Sequence, residues 1–320
     1  MAATLESAIA PHLRVQRTQA AKTPESYQPP FPAYTARFPE STKDIVMAII
    51  GAQALAGELD RRALDPVLGF IRGENKQAPS FWEIASVTDN QGYWKGREDY
   101  EQWSTTSGFA QWSSFPSVDR FETVFSNNEV PEGAAHMREG VSGQIQEHVY
   151  WGSMRDRLAV AQTDAIEGQK YSSALSKDSF SRRIRVPGRP NAAVIRSGQD
   201  WSNTKPKERT LYLETMHPVL TDGMHFLRDQ GDEVGCYSCR FMDVLDASTL
   251  EANLDRTFGL EQGPSHAPAH FGGFLKYAKD LENDVSLRLF HEVLVLQPGQ
   301  QFLEYIGCHP KTGFLVGHSS

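Results

Sequence analysis

The sequence predicts an α+β fold of two ferredoxin-like halves packed as one α+β barrel, and three observations carry that prediction. Stretches that alternate apolar and polar residues, typical of strands, recur along the 320 residues. Amphipathic stretches with helical periodicity lie between several of them. The elements after residue 44 run in the order β-α-β-β-α-β, which is the ferredoxin-like unit, and a second set of similar elements follows Pro131.

The chain is predicted to divide into an arm and two halves. Residues 1–40 are polar and rich in proline, which favours an extended arm that lies over the body of the protein. Residues 41–130 are expected to form the first half, and residues 131–320 the second. A chain of this length can bury a sizeable core.

Six elements are predicted in the first half. β-Branched and aliphatic residues favour the strands, whereas leucines that recur on one side indicate the first helix. In order, they are a strand at 44–53, a helix at 57–72, strands at 81–88 and 92–95 split by a turn at 89–92, an aromatic-rich helix at 98–114 and a closing strand at 120–126.

The second half is predicted from the same two periodicities. Its longest helix, at 207–229, should bend at Pro218, because proline cannot donate the backbone hydrogen bond of a helix interior. The other elements are strands at 144–151, 192–197 and 235–245, helices at 249–258 and 271–279, and final strands at 286–296 and 301–307 joined by a turn at 297–300.

The composition excludes several classes of protein. A net charge of −8 gives no basic surface for nucleic acid. The longest apolar run, at 45–52, is far shorter than the roughly 20 residues that cross a bilayer. Residues 1–10 lack the basic start of a signal peptide and include Glu6, so the cytoplasm is the expected compartment.

The three cysteines do not make a disulfide framework. Cys236 and Cys239 have CxxC spacing, but only Cys308 and His309 could complete a zinc site, and no helix follows as in a redox CxxC motif. The residues around this pair instead indicate the start of a strand. We therefore expect structural cysteines.

The strand at 286–296 carries one histidine among aliphatic residues. With two-residue alternation, His291 shares a face with Leu289, Val293 and Val295. An imidazole on such a face is either a hydrogen-bonded core residue or a proton-transfer group in a pocket, and the strand by itself leaves both readings open.

Common catalytic signatures are absent from the sequence. There is no P-loop and no GxGxxG motif, and the HExxH pattern that His291 and Glu292 begin fails because position 295 is valine. Ser197 does not lie in a GxSxG elbow. A hydrolase built from Ser197, His291 and a carboxylate stays an alternative.

Several blocks of sequence together resemble the haem-containing aldoxime dehydratases. They occur in the order of that family from the arm to residue 313, so the resemblance covers nearly the whole chain. The blocks are SYQPPFP (26–32), RFET (120–123), EHVYWGSMRDR (147–157), AVIRSGQDW (193–201), DGMHFLRD (222–229), GCYS (235–238), LFHEV (289–293) and EYIGCHPKTG (304–313).

The resemblance implies dehydration of an aldoxime, R–CH=N–OH, to a nitrile, with the oxime nitrogen on the ferrous iron of haem b. It also implies a dimeric α+β-barrel-type haem protein. Hydroxide is a poor leaving group, so the oxime oxygen must be protonated while the N–O bond breaks, and a base must then take the C–H proton. One histidine can do both, because its ordinary pKa lies near neutrality.

The resemblance also implies roles for four residues. His291 matches the distal acid/base histidine, and Arg157 the arginine that works with it. Ser197 matches the serine that binds the oxime hydroxyl, and Glu122 the carboxylate linked to the arginine and histidine. A carboxylate favours imidazolium and a guanidinium opposes it, so together they can poise the histidine.

The iron ligand is predicted to be His270, which precedes His291 by 21 positions, as the ligand does in the family. A neutral imidazole nitrogen is a suitable ligand for haem iron. His266 stays open as the alternative, because the stretch between 246 and 285 is shortened and matches poorly.

Two other functions stay open beside the dehydratase. Haem peroxidases and chlorite-dismutase-like enzymes share this type of barrel, and Arg157 with His291 could serve O–O cleavage. A haem carrier or sensor without catalysis is the third reading. The sequence does not distinguish aliphatic from aryl aldoximes.

Overall fold

One large antiparallel sheet dominates the α+β fold of the computed structural model. The structure describes residues 4–51, 65, 68–69, 71–73, 78–86, 89–94, 112–126, 130–169, 179, 182–263, 285–306, 308 and 312–316. The strands there are β1 (Tyr34–Arg37), β2 (Val46–Gly51), β3 (Phe81–Ser86), β4 (Asp89–Trp94), β5 (Trp112–Ser114), β6 (Phe121–Phe125), β7 (Gly140–Val141), β8 (Arg183–Val186), β9 (Ala192–Asp200), β10 (Ser238–Leu245), β11 (Ala252–Gly263), β12 (Arg288–Leu296) and β13 (Gln301–Ile306). The α-helices that are described from end to end are α1 (Ser153–Arg157), α2 (Pro206–Leu211) and α3 (His217–Gln230).

The sheet contains two runs of four strands that are neighbours in sequence. Its order is β7-β1-β6-β12-β9-β11-β10-β3-β4-β2-β5-β13-β8. One run is β3-β4-β2-β5 and the other is β10-β11-β9-β12, and the antiparallel pairing of β10 with β3 joins them. In both runs the first and third strands in sequence occupy the centre.

The first half matches the predicted strands better than the predicted turn. The strands predicted at 44–53, 81–88 and 120–126 are present as β2, β3 and β6, but β6 pairs with β1 and β12 and does not close the first run of strands. The turn predicted at 89–92 is wrong, because those residues belong to β4 and pair with both β2 and β3. Two-sided pairing outweighs the local turn preference of these residues.

The helix predicted at 98–114 is wrong at its end. Its last three residues form β5, which pairs with β2 and β13. Residues 98–111 lie outside the described part of the chain, as does most of the helix predicted at 57–72, of which Asp65, Leu68, Gly69 and Ile71 are described as helical.

Two predictions in the second half are also wrong. The helix predicted at 249–258 is a strand, β11, which pairs with β9 on one side and β10 on the other, so tertiary pairing decides its conformation. The strand predicted at 144–151 is a series of bends with one isolated bridge at Ile145. Val149 has a φ of 65°, and a strand cannot continue through a left-handed residue.

The remaining elements of the second half are confirmed. The strands predicted at 192–197, 235–245, 286–296 and 301–307 are β9, β10, β12 and β13, with a 3-10 turn at Pro298–Gln300 before β13. The long helix is present as α2 and α3, separated by a π-helical segment at Tyr212–Met216 that ends two residues before Pro218. The helix predicted at 271–279 lies outside the described residues.

Strands β9 and β12 are buried on both faces. On one face, Phe290, Leu294 and Val194 belong to the main hydrophobic core. On the other face, Ile195 and Val293 pack under the segment that follows α1. A histidine on this second face therefore lies beside α1 and the 3-10 helix at Ala159–Gln162.

Cys236 and Cys239 are buried thiols outside any disulfide, and they pack on Met224 of α3. Burial raises the pKa of Cys236 to about 12, which keeps the thiol protonated and unreactive. Within the ranges given above, no cluster of potential metal ligands occurs. None of the helices described here has the length and apolar character needed to cross a membrane.

Candidate active site

His291 and Ser197 lie opposite each other on adjacent strands. Their backbones are partners in the antiparallel pairing of β12 with β9, so both side chains point to the same face of the sheet. Ser197 Oγ lies 2.7 Å from His291 Nδ1, within hydrogen-bond distance. The serine thereby fixes the rotation of the imidazole ring.

Glu122 approaches the other nitrogen of His291 from the strand on the opposite side. Its Oε1 lies 3.7 Å from His291 Nε2, and Met154 Sδ lies 3.5 Å from the same nitrogen. Burial raises the pKa of Glu122, the charge and hydrogen bonds of Arg157 act to lower it, and the charge of Glu292 adds to the rise. A carboxylate in this place favours the imidazolium form of its neighbour.

Arg157 holds Glu122 in a two-pronged contact. Its Nε and Nη2 donate to the two carboxylate oxygens of Glu122, each at 3.0 Å, and its Nη1 donates to the backbone oxygen of Glu147 at 3.1 Å. Both side chains are buried. Paired hydrogen bonds of this type fix orientation as well as charge.

The N-terminal arm holds the segment that carries Arg157 at both ends. The carboxylate of Glu147 accepts hydrogen bonds from Ser7 Oγ at 2.7 Å and Ala8 N at 2.8 Å. At the other end, Asp156 accepts from the backbone N–H groups of Lys22 and Thr23 at 2.8 Å and 2.6 Å. The arm therefore lies against the site and restrains the loop and helix that position the arginine.

His148 is a half-buried neighbour of Arg157 that the sequence did not single out. Burial, and secondarily the charge of Arg157, lowers the pKa of His148 to about 3, so its imidazole is neutral. Its Nε2 has no hydrogen-bond partner among the residues that the structure describes, and its ring packs edge-on against Phe31 at 4.8 Å.

Four of the five predicted site residues come together: His291, Ser197, Glu122 and Arg157. They derive from β12, β9, β6 and α1, which are far apart in sequence. The fifth, His270, and its alternative His266 lie outside the described residues. Sequence reasoning missed Met154, although it lies in the same matched block as Arg157, three residues before it.

The serine–histidine pair is only partly enclosed by the described residues. The His291 side chain is 14% exposed and Ser197 is half-buried, whereas the next residues along the strands, Arg196 and Glu292, are fully buried. The pair is flanked on its own face by Ile195 and Val293. A small molecule placed there meets one histidine and one serine in apolar surroundings.

These features define an α+β protein in which a histidine, a serine, a carboxylate and an arginine meet on one face of the sheet. A family model described as haem-containing dehydratase matches residues 48–314, and the chain belongs to that family. It is 35% identical to the aliphatic aldoxime dehydratase of Rhodococcus globerulus over 97% of this chain and 98% of that protein. The phenylacetaldoxime dehydratase of a Bacillus species is 28% identical over 91% and 93% of the two chains.

Two solved structures of aldoxime dehydratases are similar to this chain over nearly its whole length. The crystal structure of an aldoxime dehydratase in complex with butyraldoxime superposes with a TM-score of 0.85 and 31% identity, over 97% of this chain and 96% of that one. A second aldoxime dehydratase crystal structure has a TM-score of 0.84 and 32% identity, over 97% and 98% of the two chains.

The described residues fit the haem of this family. A histidine and a serine with accessible surface, set among aliphatic side chains, are suitable for the distal side of a haem pocket, where hydrogen-bond donors and polarity decide the reaction. The polarisable sulfur of Met154 beside His291 Nε2 is compatible with the same environment.

Proposed function

We propose that this protein dehydrates aldoximes to nitriles with haem b in the ferrous state. The observation that carries the proposal is the contact between Ser197 and His291, backed by Glu122 and Arg157, in a chain that belongs to the haem-containing dehydratase family. Relatives along nearly the whole chain are aliphatic and phenylacetaldoxime dehydratases, which supports an aldoxime as the substrate.

His291 is assigned the proton transfers. As imidazolium it donates a proton to the oxime oxygen while the N–O bond breaks, so that oxygen leaves as water. The neutral imidazole then takes the proton from the aldoxime carbon as the nitrile forms, which restores the imidazolium and balances the reaction. Ferrous haem, when bound, supplies the iron that holds the oxime nitrogen and directs electron density into the breaking bond.

The other three residues orient this histidine and the substrate. Ser197 is assigned the hydrogen bond to the oxime hydroxyl, since its Oγ already lies beside the imidazole. Glu122 stabilises the imidazolium from 3.7 Å, and Arg157 keeps that carboxylate in place. The apolar neighbours Ile195 and Val293 limit the access of bulk water to the transferred proton.

His270 is proposed as the residue that would bind the haem iron, with His266 as its alternative. Haem titration of His270→Ala and His266→Ala proteins, followed by the Soret band, separates the two. We expect His270→Ala to weaken haem retention and His266→Ala to leave it intact. Full haem content and activity in His270→Ala would transfer the assignment to His266.

The proposed architecture has an N-terminal arm of residues 1–40, followed by two ferredoxin-like halves within 41–130 and 131–320. The order of strands supports it, since β2 and β4 lie at the centre of the first run and β9 and β11 at the centre of the second. Strand β6 extends the second run through its pairing with β12. A homodimer is part of this proposal, and analytical ultracentrifugation of haem-loaded protein tests it.

An anaerobic assay tests the function. Haem-loaded protein reduced with dithionite is expected to convert aliphatic or aryl aldoximes to nitriles without peroxide, measured by gas chromatography. If no aldoxime yields nitrile, the proposal is wrong. Turnover that requires peroxide or chlorite would support the peroxidase alternative, and haem binding without any turnover a carrier or sensor.

A further inference from the structure

A second pair of side chains lies directly behind the serine and histidine. Glu292 follows His291 on β12, and Arg196 precedes Ser197 on β9. These two residues are also partners in the pairing of the two strands. Because side chains alternate along strands, this pair points to the opposite face of the sheet. Arg196 Nη1 lies 3.1 Å from Glu292 Oε2, and both side chains are 0% exposed.

The carboxylate of Glu292 rests on a turn of the backbone. Its Oε1 accepts a hydrogen bond from Ala134 N at 2.8 Å. Gly133 has a φ of +53°, and a Cβ at that position would lie 2.3 Å from both carboxylate oxygens. Only glycine permits this approach, so the turn at Gly133–Met137 is shaped around the carboxylate that anchors β12.

The guanidinium of Arg196 is held on several sides. It forms an ion pair with Glu83 of β3, in the other run of strands. The rings of Phe258 and Phe290 lie 5.0 Å and 4.5 Å from it, in cation–π geometry. The ring of Phe290 lies over Gly198, where a Cβ would meet it at 2.0 Å, so the glycine allows this stacking.

A buried ion pair contributes little to stability, because desolvation of both charges offsets their attraction, whereas its best-attested role is to specify register. Register is decisive for this site, since a slip of β12 by one residue would turn His291 into the core and bring Glu292 to the active face. Resting on the proposed function, we propose that Arg196 and Glu292 are positioning residues that hold β9 and β12 in the register where Ser197 faces His291.

The test replaces both charges with apolar side chains of similar size. Arg196→Met/Glu292→Leu removes both members of the pair, and Glu83, which loses its contact with Arg196, keeps its contact with Arg256. Haem content by the Soret band and the thermal unfolding midpoint report whether the fold persists. We expect kcat for aldoxime dehydration to fall at least tenfold with a smaller change in KM, while haem binding is kept.

A double-mutant cycle with Ser197→Ala separates positioning from general loss of structure. If the pair acts through the contact of Ser197 with His291, Ser197→Ala should lower kcat much less in the doubly substituted protein than in the native one. The proposal is overturned if Ser197→Ala lowers kcat by the same factor in the doubly substituted and the native protein. It is also overturned if the double substitution alone leaves kcat within twofold of native. Arg256→Met is the matched control, because it removes a guanidinium that contacts Glu83 but is not paired across from Glu292.

A spectroscopic measurement keeps the test independent of turnover. In protein with 15N-labelled histidine, the His291 ring signal, assigned by its loss in His291→Asn, reports the hydrogen bond to Ser197. We expect Arg196→Met/Glu292→Leu to shift this signal as Ser197→Ala does, and an unshifted signal refutes the positioning role. If native protein yields no nitrile, the proposed function fails, and this signal still decides the proposal. If the double variant does not fold, Glu292→Gln is measured in its place. A shifted His291 signal then supports the positioning role, and an unshifted signal refutes it.

Discussion

Arg157 binds both carboxylate oxygens of Glu122, at 3.0 Å each, with neither side chain open to solvent. The contact joins the short helix α1 to strand β6, and the N-terminal arm holds α1 through Asp156. Removal of either partner would leave a buried charge alone, which is strongly destabilising. The pair therefore presents the carboxylate to His291 in a single orientation.

Arg157→Lys should lower kcat/KM by about tenfold or more, because an ammonium cannot reproduce the two parallel hydrogen bonds of the guanidinium. Steady-state kinetics on haem-loaded protein measures the change. Arg155→Lys is the matched control in the same helix, since Arg155 donates to the backbone oxygens of Ala165 and Asp164 and not to a carboxylate. Equal losses in both variants would contradict a specific role of the two-pronged contact.

His291→Ala should abolish most turnover and keep the Soret band, because the general acid/base is lost while the proposed iron ligand is unchanged. A loss of about 10²–10⁴ in kcat is expected for removal of such a group. His225→Ala, which changes an exposed histidine of α3, is the comparison. Retained activity in His291→Ala would remove the histidine from the mechanism.

Gly133→Ala should destabilise the protein by about 1–3 kcal/mol, since a left-handed residue acquires a side chain and that side chain meets the carboxylate of Glu292. Gly223→Ala in α3 should act in the opposite direction, by about 0.5–1 kcal/mol, because nothing lies within 4 Å of the added Cβ and alanine favours a helix. Chemical denaturation measures both. A stable Gly133→Ala protein would mean that the turn does not need its present shape.

Glu261 should make stability depend on pH. This carboxyl of β11 is paired across from Ile195 and Cys239, and burial raises its pKa to about 7 from an ordinary value near 4.5. Between these values the unfolded chain loses the proton and the folded protein keeps it, so stability falls as the pH rises through this window and levels off above about 7.

Glu261→Gln removes this dependence. The variant should be more stable than the native protein at pH 8, by up to about 3 kcal/mol, and the advantage should vanish near pH 4. Unfolding free energies at both pH values, at equal haem loading, measure it, with the exposed Glu233→Gln as control. An advantage of the same size at both pH values would show that packing, and not the carboxyl proton, is responsible.

Local patterns predicted the fold where one periodicity dominates. The strand around His291 was predictable because aliphatic residues dominate it, and the long helix is interrupted at Tyr212–Met216, ahead of the bend predicted at Pro218. The helix predicted at 249–258 is wrong, because residues 252–258 belong to a strand whose conformation depends on two neighbouring strands. The turn predicted at 89–92 is wrong for the same reason, since these residues pair with strands on both sides.

By itself, the sequence determined the family, the strand of His291 and the block that carries Arg157, because each depends on contiguous residues. Only the tertiary structure decided that Ser197, 94 positions away, lies opposite His291, and that Arg196 and Glu292 form a buried pair behind them. Register and burial arise from contacts between distant segments, and a sequence pattern contains no direct information on which strand will be the neighbour of another.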